Sequence, residues 1–121
     1  MVGEIAEELD TPALVVDLDL LERNIRRMAD FFNGREAKLR PHAKTHKCPE
    51  IALRQLEAGA RGITCAKLGE AEAMAEHGIG DILIANEIVG GMKVERLVKL
   101  AESCNVIVAV DDVSNASQMR T

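Results

Sequence analysis

The chain has 121 residues, 47% hydrophobic and 29% charged, with a formal net charge of −5. That acidic balance gives no footing on nucleic acid, whose recognition needs a basic surface, and no apolar run approaches the ~18–20 residues of a membrane span. Phe31 and Phe32 are the only aromatics, so platforms for base stacking are absent too.

The length fits one domain, residues 1–121. The first ten residues, MVGEIAEELD, are acidic where a signal peptide is basic and then apolar, which makes cytoplasm the expected compartment. Cys48, Cys65 and Cys104 are odd in number and lack CxxC spacing, so they read as reduced thiols, two of them among apolar neighbours.

In chain order, residues 13–18 (ALVVDL) read as a strand after a turn at Thr11-Pro12, with Asp19 capping the next helix. Leu21, Ile25, Met28 and Phe32 then form one apolar stripe at helical spacing, ended by Asn33-Gly34. The unit repeats. A strand over 38–43 precedes a helix from Pro49 to Gly59, and a strand over 63–66 precedes a helix from Gly69 to His77. A strand over 81–87 leads to a helix carrying Val94, Leu97, Val98 and Ala101. Residues 106–110 (VIVAV) read as a strand buried on both faces, and a last helix starts near Ser114 and runs to Thr121.

Strand–helix alternation with short links means parallel strands and an α/β fold. A doubly wound sheet and a (β/α)8 barrel of the TIM type both fit. A barrel needs roughly 250 residues, so this chain supplies about half of one. Half a barrel has raw sheet edges and an inner face, Ile82 and Ile84 included, that needs cover. A second copy would supply that cover, as would the rest of a longer chain; the fragment is the preferred reading.

The chemistry concentrates in LRPHAKTHKCPE, residues 39–50. On a strand, Lys38, Arg40, His42 and Lys44 share one face and Leu39, Pro41 and Ala43 the other. In a barrel the apolar set lies under the helices, and the cations point inward and end at the C-terminal rim. A row of inward cations calls for an anion or solvent, although a solvated sheet face explains it as well. Pro41 lacks the ladder N–H and predicts that pairing fails just before Lys44. A metal site from His42, His46 and Cys48 is disfavoured, because two histidines four residues apart in an extended segment stand ~13 Å apart. Lys67, Asn86, Glu87, Asp111 and Asp112 also follow strands, where turn chemistry and capping explain each one alone. Gly90-Gly91 before a helix is a weak phosphate signal, and neither a P-loop nor GxGxxG occurs.

At RPHAKTHK the sequence resembles the fold-type III pyridoxal 5'-phosphate (PLP) enzymes, alanine racemase-like in their N-terminal barrel, and within them the D-threonine aldolase and D-serine dehydratase group. TPALVVDLDLLERNI, LRPHAKTHKCPEIALRQLEAGARGITCAKLGEA and DILIANEIVG followed by VIVAVD carry the likeness, over residues 11 to about 115. KCPEIA and GARGITC look closest to the aldolases. The resemblance implies the N-terminal half of a partial barrel, with residues 11–18 packing against an absent C-terminal β-domain. It implies that Lys44 is the catalytic lysine joined to PLP as a Schiff base, with His42 and Arg40 beside the cofactor. It also implies a metal-dependent lyase of D-amino acid metabolism that cleaves D-3-hydroxy-amino acids to glycine and an aldehyde. The divalent metal, of Mn or Zn type, would have its ligands outside this chain, so no metal residue is assigned here.

Arg40, His42 and Lys47 would favour the neutral amine that such chemistry needs. His42 and His46 both stand as possible bases. A dehydratase of D-serine or 3-hydroxyaspartate is the alternative enzyme, and a non-catalytic PLP-binding protein the alternative of another class. Expected partners are a small D-amino acid and further copies of the chain, with no nucleic acid and no membrane.

Overall fold

A computed structural model describes residues 5–119. After a short 3-10 turn at Ala6–Glu8, the elements are α1 (Leu18–Phe32), a 3-10 turn at Ala43–Thr45, α2 (Pro49–Glu57), β1 (Ile63–Cys65), α3 (Leu68–Glu76), β2 (Asp81–Glu87), α4 (Gly91–Ala101), β3 (Asn105–Ala109) and α5 (Val113–Gln118). The three strands form one parallel sheet in the order β1-β2-β3.

Register explains the core. Ile82 stands between Ile63 and Val106, and Ile84 between Cys65 and Val108. This set faces Leu68, Ala71 and Met74 of α3 and Val94, Leu97 and Leu100 of α4 in one buried cluster. Side chains alternate along strands, so Thr64, Leu83 and Ile107 take the opposite face. Ile82 and Ile84, expected on the inner face, are therefore fully buried beneath helices instead. A charge-assisted clamp, Arg96 on Glu72, ties α4 to α3, with Arg96 Nε 2.8 Å from Glu72 Oε1.

The helix boundaries follow their caps. Asp17, not Asp19, caps α1, its Oδ1 accepting the Leu20 N–H at 2.9 Å. Asn33 closes the helix, and Gly34 takes φ +72°. Pro49 is the first residue of α2, and Gly59 and Gly78 turn left-handed after α2 and α3. Asp112 caps α5, accepting from Ser114 N at 2.9 Å and Asn115 N at 3.0 Å. That helix ends at Gln118; its expected run to Thr121 falls partly outside the described residues.

Three expected strands differ. Residues 13–17 are exposed and irregular, and Leu18 already belongs to α1. An extended segment becomes a strand only by pairing, and none of the described residues pairs with this one. Residues 38–43 hold a single parallel bridge, His42 to Thr64, rather than a full strand. The Leu39 and Pro41 carbonyls still accept from Arg61 N at 2.8 Å and Thr64 N at 2.7 Å, but Pro41 has no N–H to return. β3, expected to be buried on both faces, is the end strand, and its Ile107 is exposed because helices cover only one face.

Candidate active site

The segment RPHAKTHK runs alongside β1 and breaks into a tight turn as it passes the His42–Thr64 bridge. His42 caps that turn, its Nδ1 accepting the Lys44 N–H at 3.3 Å, while Thr45 Oγ1 donates to the His42 carbonyl at 3.3 Å. The Ala43 carbonyl accepts twice, from His46 N at 3.2 Å and Lys47 N at 2.8 Å. Lys47 pays for this closure with φ +50°, the left-handed region that residues with a Cβ seldom enter. His46 repeats the motif of His42: its Nδ1 accepts the Cys48 N–H at 3.1 Å.

The cations of this stretch are brought to different partners. Lys38 Nζ donates to the Arg35 carbonyl at 2.9 Å. Arg40 Nη1 lies 2.6 Å from Asp81 Oδ1 and donates to the Asp81 carbonyl at 3.2 Å, at the N-terminal end of β2. Lys47 Nζ lies 2.7 Å from Glu70 Oε1. Lys44 is exposed, and among the described residues no carboxylate pairs with it. Alternation placed Arg40 on one face with Lys44. Arg40 reaches toward the N-terminal ends of the strands, where the Asp81 carboxylate and carbonyl both bind it. His42 remains next to Lys44.

Glu70 carries no expectation from the sequence, yet it organises this rim. Nine-tenths buried, it binds Lys47 with one oxygen and accepts the Ala66 N–H with the other at 2.8 Å, joining the Lys44 turn to the end of β1 and the start of α3. The hydrogen bond from Lys47 holds its carboxyl below the usual carboxylate range. Its signal was present: an acid at the third position of a helix commonly reaches back to main-chain N–H groups. Burial lowers the His46 imidazole from its ordinary 6.5 and raises the Cys65 thiol to about 11, which makes Cys65 an inert core residue. The charges of Arg40 and Lys47, expected to act on Lys44, are thus each compensated by a carboxylate.

Beyond β1, the pairing of β2 with β3 shifts between Ile84 and Glu87. Such a bulge re-aims side chains. Here Asn86 Nδ2 donates to the Ala66 carbonyl at 3.4 Å, so it joins the same rim. Asp112 is used in capping, as turn chemistry predicted. Among the described residues no group of three or more His, Cys, Asp or Glu is placed to hold a metal ion. An exposed amine on a rigid turn, beside an imidazole and past the ends of parallel strands, suits covalent capture of a carbonyl compound.

Comparison with known proteins places this geometry. Residues 16–121 match the family model described as alanine racemase, N-terminal domain. D-threonine aldolase from Arthrobacter sp is 49% identical over 117 residues, 97% of this chain and 31% of that protein. D-threo-3-hydroxyaspartate dehydratase from Delftia sp. (strain HT23) is 41% identical over 108 residues, 89% of this chain and 28% of that protein. The crystal structure of D-threonine aldolase from Filomicrobium marinum superimposes with a TM-score of 0.91 at 47% identity, covering 94% of this chain and 31% of that one. The chain spans under a third of the length of these relatives. Its parallel sheet is the N-terminal part of an α/β barrel, and the chain belongs to the alanine racemase N-terminal domain family.

Proposed function

We propose that this chain is the cofactor-anchoring part of a PLP-dependent lyase that cleaves D-3-hydroxy-amino acids, as a D-threonine aldolase does, to glycine and an aldehyde. One observation carries the reading. Of the four cations in residues 38–47, Lys44 alone lacks an intramolecular partner among the described residues, and it sits on the most constrained turn of the stretch. The similarity to an aldolase over 97% of the chain supports the choice of reaction.

The donor set fits an anionic aldehyde cofactor: a free amine on Lys44 and an imidazole N–H on His42 next to it. When bound, PLP supplies the aldehyde that the amine attacks and a ring that takes up electrons released at the substrate Cα. The chain's own contribution is placement. The doubly accepting Ala43 carbonyl and the His42 cap fix the Lys44 main chain, and Glu70 holds Lys47 away from competing for the same carbonyl. Arg40 acts at a distance, by joining the segment to β2 through Asp81. A divalent metal used by such a lyase would be held by residues other than these. The setting we infer is a cytoplasmic homo-oligomer; no helix among the described residues is long and apolar enough to cross a membrane.

A dehydratase is the second reading, favoured by the 41% identity to a 3-hydroxyaspartate dehydratase. Incubating the protein that carries this chain with PLP and either D-threonine or D-serine separates them. Glycine from D-threonine is the expected product. A keto acid from D-serine would move the assignment to the dehydratase, and cofactor on Lys44 with neither product would mean a non-catalytic PLP-binding protein. Borohydride reduction and peptide mapping that place the cofactor on Lys38, Lys47 or Lys67 would remove Lys44 from the site.

A further inference from the structure

We propose that His42 and His46 are positioning residues that bracket Lys44 as neutral main-chain acceptors, and that neither is the base of the reaction. The inference rests on the lyase reading for its reaction, but its geometry stands apart from it. A main-chain N–H only donates. The Lys44 N–H at 3.3 Å therefore requires an unprotonated Nδ1 on His42, and the Cys48 N–H at 3.1 Å requires the same on His46. A neutral imidazole has one N–H and one lone pair, so both rings carry their proton on Nε2. Neither then offers a free lone pair to a substrate proton. To accept one at Nε2, the ring would have to shift its own proton to Nδ1 and give up the main-chain hydrogen bond that shapes the turn.

The two motifs have one spacing and lie on either side of the amine. His42 sits two residues before Lys44 and binds its N–H, at the entry to the 3-10 turn. His46 closes that turn and binds the N–H of Cys48, the cap of α2. Together they fix where the lysine-bearing turn begins and where α2 departs. The His46 Nε2 is buried and, among the described residues, without a hydrogen-bond partner, which removes it further from any substrate.

Two experiments on the protein carrying this chain test the assignment. Long-range proton–nitrogen correlation of the histidine rings reads the tautomers directly, with or without cofactor. Both rings are expected as Nε2–H with a bare Nδ1, and a proton on Nδ1 of either overturns the proposal for that residue. The second test compares His42→Asn with His42→Leu. Asn Oδ1 hangs from Cγ as His Nδ1 does and accepts an N–H two residues on, whereas leucine cannot. His42→Asn is expected to retain at least ~10-fold more kcat for D-threonine than His42→Leu, with Lys44 the trapped residue in both. Loss of a base costs ~10²–10⁴-fold whichever residue replaces it. Equal losses in the two variants would therefore sink the positioning role. A wild type that traps no cofactor on Lys44 would count against the lyase reading alone, since the tautomers would still decide this one.

Discussion

At the N-terminal ends of the strands, Arg40 is clasped by Asp81, with Arg61 Nε 3.5 Å from the same carboxylate. Gly62 beside them leaves no room for a side chain: a methyl group there would overlap the Arg40 guanidinium and the Asp81 carbonyl. Past the C-terminal ends, Lys47 is matched by Glu70 but Lys44, three residues earlier, is left with its charge uncompensated among the described residues. One segment thus carries a closed charge cluster at one end and an open one at the other. Arg40 and Lys47 are each given a carboxylate, whereas Lys44 stays solvated, which is what the proposed capture of a cofactor needs.

The largest expected effect breaks the open end. Lys44→Ala in the protein carrying this chain should abolish covalent cofactor capture and cut turnover by ~10³-fold or more, with little change in the thermal midpoint. Retention of a borohydride-trapped cofactor would show that another amine serves. At the closed end the pattern should reverse. Gly62→Ala forces the Arg40 guanidinium and a main-chain carbonyl apart, and should cost about 2–3 kcal/mol by urea unfolding. A midpoint within error of wild type would mean the crowding is relieved cheaply. Asp81→Asn, milder, leaves a largely buried guanidinium without its counter-charge and should cost about 1–2 kcal/mol while the cofactor still traps on Lys44. Trapping lost in step with Lys44→Ala would contradict the division between the ends.

The smallest effect concerns pH. The His46 imidazole is held below its ordinary 6.5, so below that value the unfolded chain binds more protons than the folded one. Its contribution to stability is whole above pH 6.5 and declines as pH falls through that window. Glu70 and Asp81, lowered from 4.5 and 3.8, lose theirs only at lower pH. Unfolding free energies at pH 7.0 and 5.5 should differ by less than about 1 kcal/mol, and His46→Asn should shrink that difference. An unchanged difference would mean that other groups titrate there.

Much of this was legible. β2 begins and ends where the sequence placed it, and the punctuation by Pro49, Gly59 and Gly78 marked helix ends because those residues act locally. The lysine stood out through RPHAKTHK. The rest was non-local. Residues 13–17 read as a strand on composition, and a strand needs a pairing partner that none of the described residues provides. Ile82 and Ile84 went to the wrong face because alternation states which residues share a face, not where the helices lie. Arg40 was grouped with Lys44 by the same period, and only the fold reveals that Asp81, 41 residues on, waits for it. Glu70 carried a local sign, its place in the first turn of α3, but its link to Lys47, 23 residues earlier, did not show in the sequence.

The alternation along the sheet also bears on how such a chain can change over generations. Ile63, Ile82 and Ile84 lie under helices with no exposed surface, whereas Leu83, Ala85 and Ile107 share in the face the helices leave bare. Replacing residues of the first set disturbs packing and is selected against whatever the substrate. The second set lies on the face that a barrel turns inward, so replacing it acts on what the barrel encloses and leaves the packing of these helices alone. Neighbouring codons therefore carry different constraints, one row holding the helices to the sheet and the next shaping the enclosed space.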